Sequence, residues 1–144
     1  MLFKKYLNKI SGPLLDRIDL HVEVTPVSFS ELSNIAKGEP SGNIRERVIK
    51  AREIQTQRYK ETPGTYANAQ MSSKQLREIC VINQAGDALL KKAMERLNLS
   101  ARAYDRILKV SRTIADLAAS ATIKVEHLAE AIQYRSLDRE GWAG

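Results

Sequence analysis

The spacing of hydrophobic positions changes early in the chain. Between Leu14 and Val24, the apolar residues Ile18, Leu20 and Val22 alternate with polar ones, the period-two pattern of a half-buried β-strand. No second segment shows this pattern convincingly, and a single strand is not stable without neighbouring strands. We therefore expect an orphan strand whose partner strands lie outside this sequence.

The rest of the first forty residues predicts short helices and no complete domain. A helical stretch at Phe3–Ile10 runs into the breakers Ser11-Gly12-Pro13. A capping-box spacing that begins at Ser28 opens another helix, which ends by Lys37. We expect residues 1–40 to form an N-terminal arm that is poorly ordered or only loosely packed.

Beyond the arm, apolar residues recur at three- and four-residue intervals, as they do on one face of an α-helix. This spacing and the capping residues predict a long helix from Asn43 to about Glu61, a second after the cap Ser72, a third at Ala88–Leu97, a fourth from Ser100 to about Ala118, and a last one capped by Thr122. The expected fold class is therefore all-α, a bundle of four to five helices over residues 41–144 behind the arm of residues 1–40.

Composition narrows the class of protein. With 43% hydrophobic and 28% charged residues, the chain resembles ordinary globular domains. No apolar run approaches the roughly 18–20 residues that cross a membrane, and no signal-peptide core follows the first lysines. A single cysteine, Cys80, excludes an internal disulfide, and the two histidines lack the spacing of a metal site. We expect a cytoplasmic chain with no membrane partner and no bound metal.

Positive charge is concentrated in one segment. The formal net charge is +6, and residues 91–112 hold seven basic groups against two acidic ones. This surplus indicates an anionic partner, although a solvated helix face is an equally good interpretation. Arg106 and Lys109 are ambiguous, because Asp105 and Asp116 are near enough in sequence to pair with them.

Arg102 is the first candidate functional residue. It lies in the first turn of the helix capped by Ser100, where the helix dipole disfavours a cation by about 0.3–1 kcal/mol. Backbone N–H groups there favour an anion. The alternative is a local ion pair with Asp105, which would contribute only about 0.2–0.5 kcal/mol.

Arg17 is the second candidate, and it lies between Asp16 and Asp19 just before the predicted strand. From the residues alone, a local ion pair with one of these aspartates is the better interpretation. Neither arginine is accompanied by a GxxxxGK[ST] phosphate loop or by another catalytic motif. The chain alone is therefore not expected to hydrolyse a nucleoside triphosphate, and we expect no cofactor bound to it.

Two long motifs resemble a known family. Residues Ile10–Leu20 read ISGPLLDRIDL, and residues Leu99–Leu117 read LSARAYDRILKVSRTIADL. Both are similar to segments of the Mg-chelatase-related AAA+ proteins of the ComM/YifB type, with Ser111 where alanine is usual. Asn68-Ala69-x-Met71 and His127–Arg139 also resemble that family's pattern.

The resemblance implies the C-terminal part of an AAA+ ATPase, with the arm as the end of the nucleotide-binding core and the bundle as the lid over the nucleotide. It implies that Arg17 is an arginine finger acting in trans on a neighbour's ATP. It also implies that Arg102 is the sensor-2 residue that contacts the γ-phosphate, with Arg106 as a further nucleotide contact. The implied partners are the remaining AAA+ core of the same polypeptide, a ring homo-oligomer that is usually hexameric, ATP with Mg, and DNA.

Arginine suits both implied roles, because its planar, permanently charged fork matches phosphate oxygens in a bidentate manner. A finger arginine contributes about 10³–10⁵ in the rate of phosphoryl transfer. Three functions remain open. The parent could be a DNA-processing motor of recombination and natural transformation, or a magnesium chelatase motor, or the basic bundle could be a stand-alone module that binds nucleic acid without nucleotide.

Overall fold

The computed structural model describes residues 12–15, 17–22, 24, 26–27 and 38–135. In these ranges the regular structure is helical and there is no β-strand, which confirms the all-α class. The helices are α1 (Gly12–Leu15), α2 (Ser41–Tyr59), α3 (Ser73–Ile79), α4 (Gln84–Leu97), α5 (Ala101–Leu117) and α6 (Val125–Gln133), with a 3₁₀ turn at Asn68–Gln70 between α2 and α3.

The strand predicted between Leu14 and Val24 is wrong for the residues that are described there. Leu14 lies in α1, and residues 17–22 have no regular secondary structure. The backbone N–H of His21 donates to the carbonyl oxygen of Tyr134 at 2.8 Å. The segment therefore contacts the end of the helical bundle and does not pair with another strand within the described residues. Val22 remains 67% exposed.

The predicted break at Ser11-Gly12-Pro13 lies partly outside the described residues, and Gly12 and Pro13 form the start of α1. Proline is tolerated in a first helical turn, where its missing N–H would have had no helical acceptor. The helices predicted at Phe3–Ile10 and from Ser28 to Lys37 lie outside the described residues.

Polar caps position the helices of the bundle as expected at two places. Ser72 and Gln75 form the predicted capping box: Gln75 Oε1 accepts from the Ser72 N–H at 2.7 Å, and Ser72 Oγ accepts from the Gln75 N–H at 3.3 Å. Ser100 Oγ accepts from the Ala103 N–H at 3.1 Å and starts α5. These caps were predictable because each is a contact between near neighbours in sequence.

Two other helix starts differ from the prediction. α4 begins a turn early, because Asn83 Oδ1 accepts from the Gly86 N–H at 2.8 Å. Thr122 is not the cap of the last helix, since α6 begins after Lys124. There the Lys124 N–H donates to His127 Nδ1 at 3.1 Å, so the imidazole takes the place of the glutamate or glutamine of a capping box.

The hydrophobic core lies where α5 packs on α6 and on α2, with α4 against α6. α2 takes part only through its second half, because every residue of 41–50 is exposed. Burial raises the pKa of the Cys80 thiol to about 11, so this residue behaves as an apolar core side chain. The core residues are Tyr59, Met71, Leu76, Cys80, Leu90, Ile107, Leu108, Ala115, Ile123, Leu128 and Ala131.

None of the helices in the described part of the chain combines the length and apolar character that a bilayer crossing requires. The same residues contain no cluster of three histidine, cysteine, aspartate or glutamate side chains arranged to hold a metal ion.

Candidate functional site

The basic residues of α5 have very different surroundings, and Arg102 is the most accessible of them. It lies in the first turn of the helix and is exposed, and its side chain forms no hydrogen bond or ion pair with any residue that the structure describes. In particular, Asp105 does not pair with it. The local ion pair that the sequence offered as an alternative is therefore not formed.

Arg106, one turn further along, is half-buried and paired. Its guanidinium forms an ion pair with the carboxylate of Asp19, in the segment that follows α1. Asp19 therefore binds to α5 rather than to its sequence neighbour Arg17. Arg17 is exposed and has no ion pair within the described ranges, and its other candidate partner, Asp16, lies outside them.

Two further contacts hold the segment after α1 on the bundle. A guanidinium nitrogen of Arg135 donates to the carbonyl oxygen of Ile18, and the His21 N–H bonds to Tyr134 as described above. Arg135 is 1% exposed and His21 is 6% exposed. These contacts hold the segment from Ile18 to His21 on the bundle, while Ile18 and Leu20 remain 40% and 48% exposed, and the loosely packed arm stays a prediction.

Asp116 lies at the centre of a buried polar cluster that joins α2, the 3₁₀ turn and α5. Its carboxylate accepts two hydrogen bonds from Arg58, at 2.6 and 2.7 Å, one from Asn68 Nδ2 at 2.8 Å, and one from Arg112 Nε at 3.1 Å. Burial by itself would raise the pKa of Asp116. The hydrogen bonds from Arg58 and Asn68 outweigh burial and hold the pKa below its ordinary value.

Arg112 is the buried counterpart of Arg102. Besides Asp116, its guanidinium donates to the carbonyl oxygens of Ser120 at 2.6 Å and Ala121 at 3.0 Å, and it is 3% exposed. These bonds satisfy backbone groups just after the end of α5 and fix the connection to α6. The sequence offered no role for Arg112, although its spacing of four residues from Asp116 was a usable signal.

Lys109 forms no ion pair with Asp105 or Asp116, the acidic residues near it in sequence. Its ammonium donates to the carbonyl oxygen of Ala69 at 3.0 Å, next to the Asp116 cluster. Thus Arg106, Lys109 and Arg112 all have partners within the chain. Arg102 is the cation of α5 that the described residues leave available for a ligand.

The helical bundle is consistent with the lid-like C-terminal domain of the Mg-chelatase family. Residues 38–135 match the family described as magnesium chelatase, subunit ChlI C-terminal, and residues 2–32 match the family described as magnesium chelatase, subunit ChlI. The chain belongs to this Mg-chelatase-related family of AAA+ proteins, as its two long motifs indicated.

The relatives of the chain include ComM and YifB proteins. Over 136 residues it is 46% identical to the Competence protein ComM of Haemophilus influenzae and 40% identical to the uncharacterized protein YifB of Salmonella typhimurium. Each match covers 94% of this chain but only 26% of the relative. The chain thus spans about a quarter of the length of the relatives it matches.

Proposed function

We propose that this chain is the lid part of an AAA+ ATPase and that Arg102 is its sensor-2 residue. In this proposal residues 1–40 belong to the nucleotide-binding core and residues 41–144 form the lid. The observation that carries the proposal is the exposed guanidinium of Arg102, which has no partner among the described residues although Asp105 is close in sequence. An unpaired cation in a first helical turn is unfavourable for the helix. A bound anion would offset this unfavourable interaction.

The chemistry of Arg102 fits a phosphate group. A guanidinium offers two parallel N–H donors to phosphate oxygens, and the backbone at the start of a helix also favours an anion. ATP would supply the γ-phosphate, whose charge changes when the bond to it is cleaved. Contact with Arg102 would therefore couple the state of the nucleotide to the angle of the lid. Magnesium would be held by residues outside the described part of the chain, which contains no suitable cluster.

We also propose that Arg17 is an arginine finger, which acts on the ATP of a neighbouring subunit in a ring. Its side chain is exposed, and Asp19, its possible local partner, is engaged by Arg106. Arg106 would reach nucleotide only in a state in which it has released Asp19. In that state Arg106 would contact the nucleotide.

The proposal can be tested in a ComM protein whose matching 136 residues are replaced by this chain. We expect magnesium-dependent ATP hydrolysis by this chimera and none by the chain alone. Arg102→Ala should lower turnover by about tenfold or more, equivalent to about 1.4 kcal/mol of transition-state stabilisation. Arg77→Ala, which removes an exposed arginine from α3, is the matched control and should leave turnover unchanged. Equal turnover in the two variants would refute the sensor assignment.

The finger role of Arg17 predicts complementation between subunits. An Arg17→Ala chimera and a chimera with a disabled phosphate loop should both be inactive alone. A mixed ring of the two should recover part of the ATPase activity, because some interfaces then combine an intact Arg17 with an intact phosphate loop. If mixing restores no activity at any ratio, Arg17 does not act in trans.

DNA is the substrate that we propose for the parent motor, and the name of the competence relative supports it. Duplex DNA should then stimulate ATP hydrolysis by the chimera. The second candidate is a magnesium chelatase motor, which the family description favours, and it predicts no effect of DNA. A stand-alone nucleic-acid-binding module predicts instead that the 144-residue chain binds duplex without nucleotide, with an affinity that falls steeply as salt rises.

A further inference from the structure

An apolar groove lies between α4 and α6, away from the buried Asp116 cluster. It has a volume of about 580 Å³. Its apolar lining comes from Leu89, Ala93 and Leu97 of α4 and from Ala129 and Ile132 of α6. These positions repeat at intervals of four residues on α4 and three on α6, so each helix contributes one continuous stripe.

The shape of the groove follows from side-chain size. Ala93 is short and lies between Leu89 and Leu97 on α4, and Ala129 is the short member of the pair on α6. From Leu89 to Leu97 the stripe on α4 is about 12 Å long, because an α-helix rises about 1.5 Å per residue. This length accommodates about two turns of another helix lying in the groove.

The charged residues of the groove are both basic. Lys92 and Arg96 line it from α4, where a spacing of four residues places them on the same edge. Both are exposed, and neither forms an ion pair with a residue of the described ranges. The groove therefore combines an apolar floor with two uncompensated positive charges along one side.

We propose that this groove binds an acidic amphipathic helix of a partner protein. The apolar face of such a helix would cover the floor, and two carboxylates one turn apart would meet Lys92 and Arg96. A nucleic acid fits this surface poorly, because the lining has no aromatic side chain on which a base could stack. A second copy of this chain would bring another net charge of +6 to a basic rim. The proposal does not depend on nucleotide binding by Arg102.

Binding of a designed peptide to the full 144-residue chain tests the proposal. The probe is a fluorescein-labelled 18-residue helix that carries leucines on one face, glutamates beside them and alanines elsewhere. We expect saturable binding that is about tenfold or more tighter than that of the same peptide with lysine in place of glutamate. A peptide of the same composition in scrambled order should also bind about tenfold or more weakly, because its apolar face is lost.

Matched variants separate the groove from the general positive charge of the protein. Lys92→Glu/Arg96→Glu should weaken binding of the acidic peptide by about tenfold or more. Lys91→Glu/Arg77→Glu makes the same change in net charge at exposed positions outside the groove lining, and should change affinity by no more than about twofold. Leu97→Gln should weaken binding while Lys92 and Arg96 remain in place. Far-UV circular dichroism establishes that each variant is folded.

Several results would overturn the proposal. Equal weakening in the two double variants would show that the peptide responds only to overall charge. Displacement of the peptide by a 20-base-pair duplex, together with loss of duplex binding in Lys92→Glu/Arg96→Glu, would assign the surface to nucleic acid. Self-association that disappears in the same variant would assign it to a second copy. A tighter peptide complex in Trp142→Ser would assign it to the chain's own C-terminal segment.

Discussion

The two ends of α5 carry the same side chain in opposite surroundings. Near the start, Arg102 is exposed and has no partner among the described residues. Near the end, Arg112 is 3% exposed and donates to Asp116 and to two backbone carbonyls. Arg106 lies between these extremes, since it is half-buried and has one ion pair, with Asp19. One helix thus shows arginine as a structural residue, as a docking residue and as an available cation.

This comparison teaches that the role of an arginine depends on what surrounds its guanidinium rather than on its residue type. A buried arginine must be fully paired, because an uncompensated buried charge costs several kcal/mol. An exposed arginine contributes little to stability and can exchange water for a ligand anion at low cost. Replacing these arginines should therefore lower the free energy of unfolding most at Arg112, less at Arg106 and least at Arg102.

The largest effect should come from Asp116→Ala. This change leaves the guanidinium groups of Arg58 and Arg112 without their shared carboxylate in a site where Asp116 is 2% exposed. We expect the free energy of unfolding to fall by about 3–5 kcal/mol. Urea denaturation followed by circular dichroism measures this loss.

Asp105→Ala is the matched control, because Asp105 lies on the same helix and has no ion pair within the described ranges. It should change the free energy of unfolding by no more than about 0.5 kcal/mol. If the two aspartate variants were equally stable, the Asp116 cluster would not hold α2 to α5.

The next largest effect should be the loss of stability at low pH, when Asp116 becomes protonated. The pKa of Asp116 lies below its ordinary value in the folded chain, since the hydrogen bonds it accepts outweigh its burial. Its stabilising contribution is therefore complete above the unfolded pKa of about 3.9 and is lost as the pH falls through the folded pKa. Between about pH 4 and pH 2, wild type should lose more free energy of unfolding than Asp116→Asn. Parallel acid slopes for the two proteins would contradict this assignment.

The sequence predicted those parts of the fold that depend on near neighbours. The caps at Ser72 and Ser100 bond to residues three positions away, so they were visible in the sequence. The strand near Ile18 was wrong because a strand depends on partners that a local pattern cannot supply. The residues there meet Tyr134 and Arg135, more than a hundred positions away.

The candidate site residues stay a prediction, and only their surroundings can be compared with the sequence. Arg102 was singled out by its place in the first helical turn and by a motif, and Arg17 by a motif. Asp19, the possible partner of Arg17, binds Arg106, whereas Asp105 has no ion pair within the described ranges. The Asp116 cluster was not found, because Arg58 is 58 positions from Asp116 and Asn68 is 48 positions from it. Contacts at such separation leave no periodic signal in a single sequence.

The ion pair of Arg106 and Asp19 should contribute less to the free energy of unfolding than the Asp116 cluster does. Asp19 is 48% exposed in its side chain, and ion pairs of this kind contribute about 0.2–1 kcal/mol. A double-mutant cycle with Arg106→Ala and Asp19→Ala should give a coupling energy in that range. Hydrogen exchange at the His21 N–H, which bonds to Tyr134, should become faster in both single variants.

The control for this contact is Glu39→Ala, which removes the partner of Arg47 in another exposed ion pair. It should leave exchange at His21 unchanged, because neither residue is among the contacts that hold the segment after α1. A coupling energy of zero, with unchanged exchange at His21 in the Asp19 variant, would show that the bonds from His21 to Tyr134 and from Arg135 to Ile18 hold the segment on the bundle without the ion pair.

The smallest effect on stability should come from Arg102→Ala. Arg102 has no partner to lose within the described ranges, and its charge opposes the dipole at the start of α5. The free energy of unfolding should therefore stay within about 0.5 kcal/mol of wild type or rise slightly, whereas Arg112→Ala should fall among the large effects with Asp116→Ala. Urea denaturation at low and high salt measures both, and the small gain at Arg102 should shrink as salt screens the dipole. A loss of stability in Arg102→Ala comparable to that in Arg112→Ala would mean that Arg102 is held by the fold, and an arginine held in this way would be a poor sensor of nucleotide.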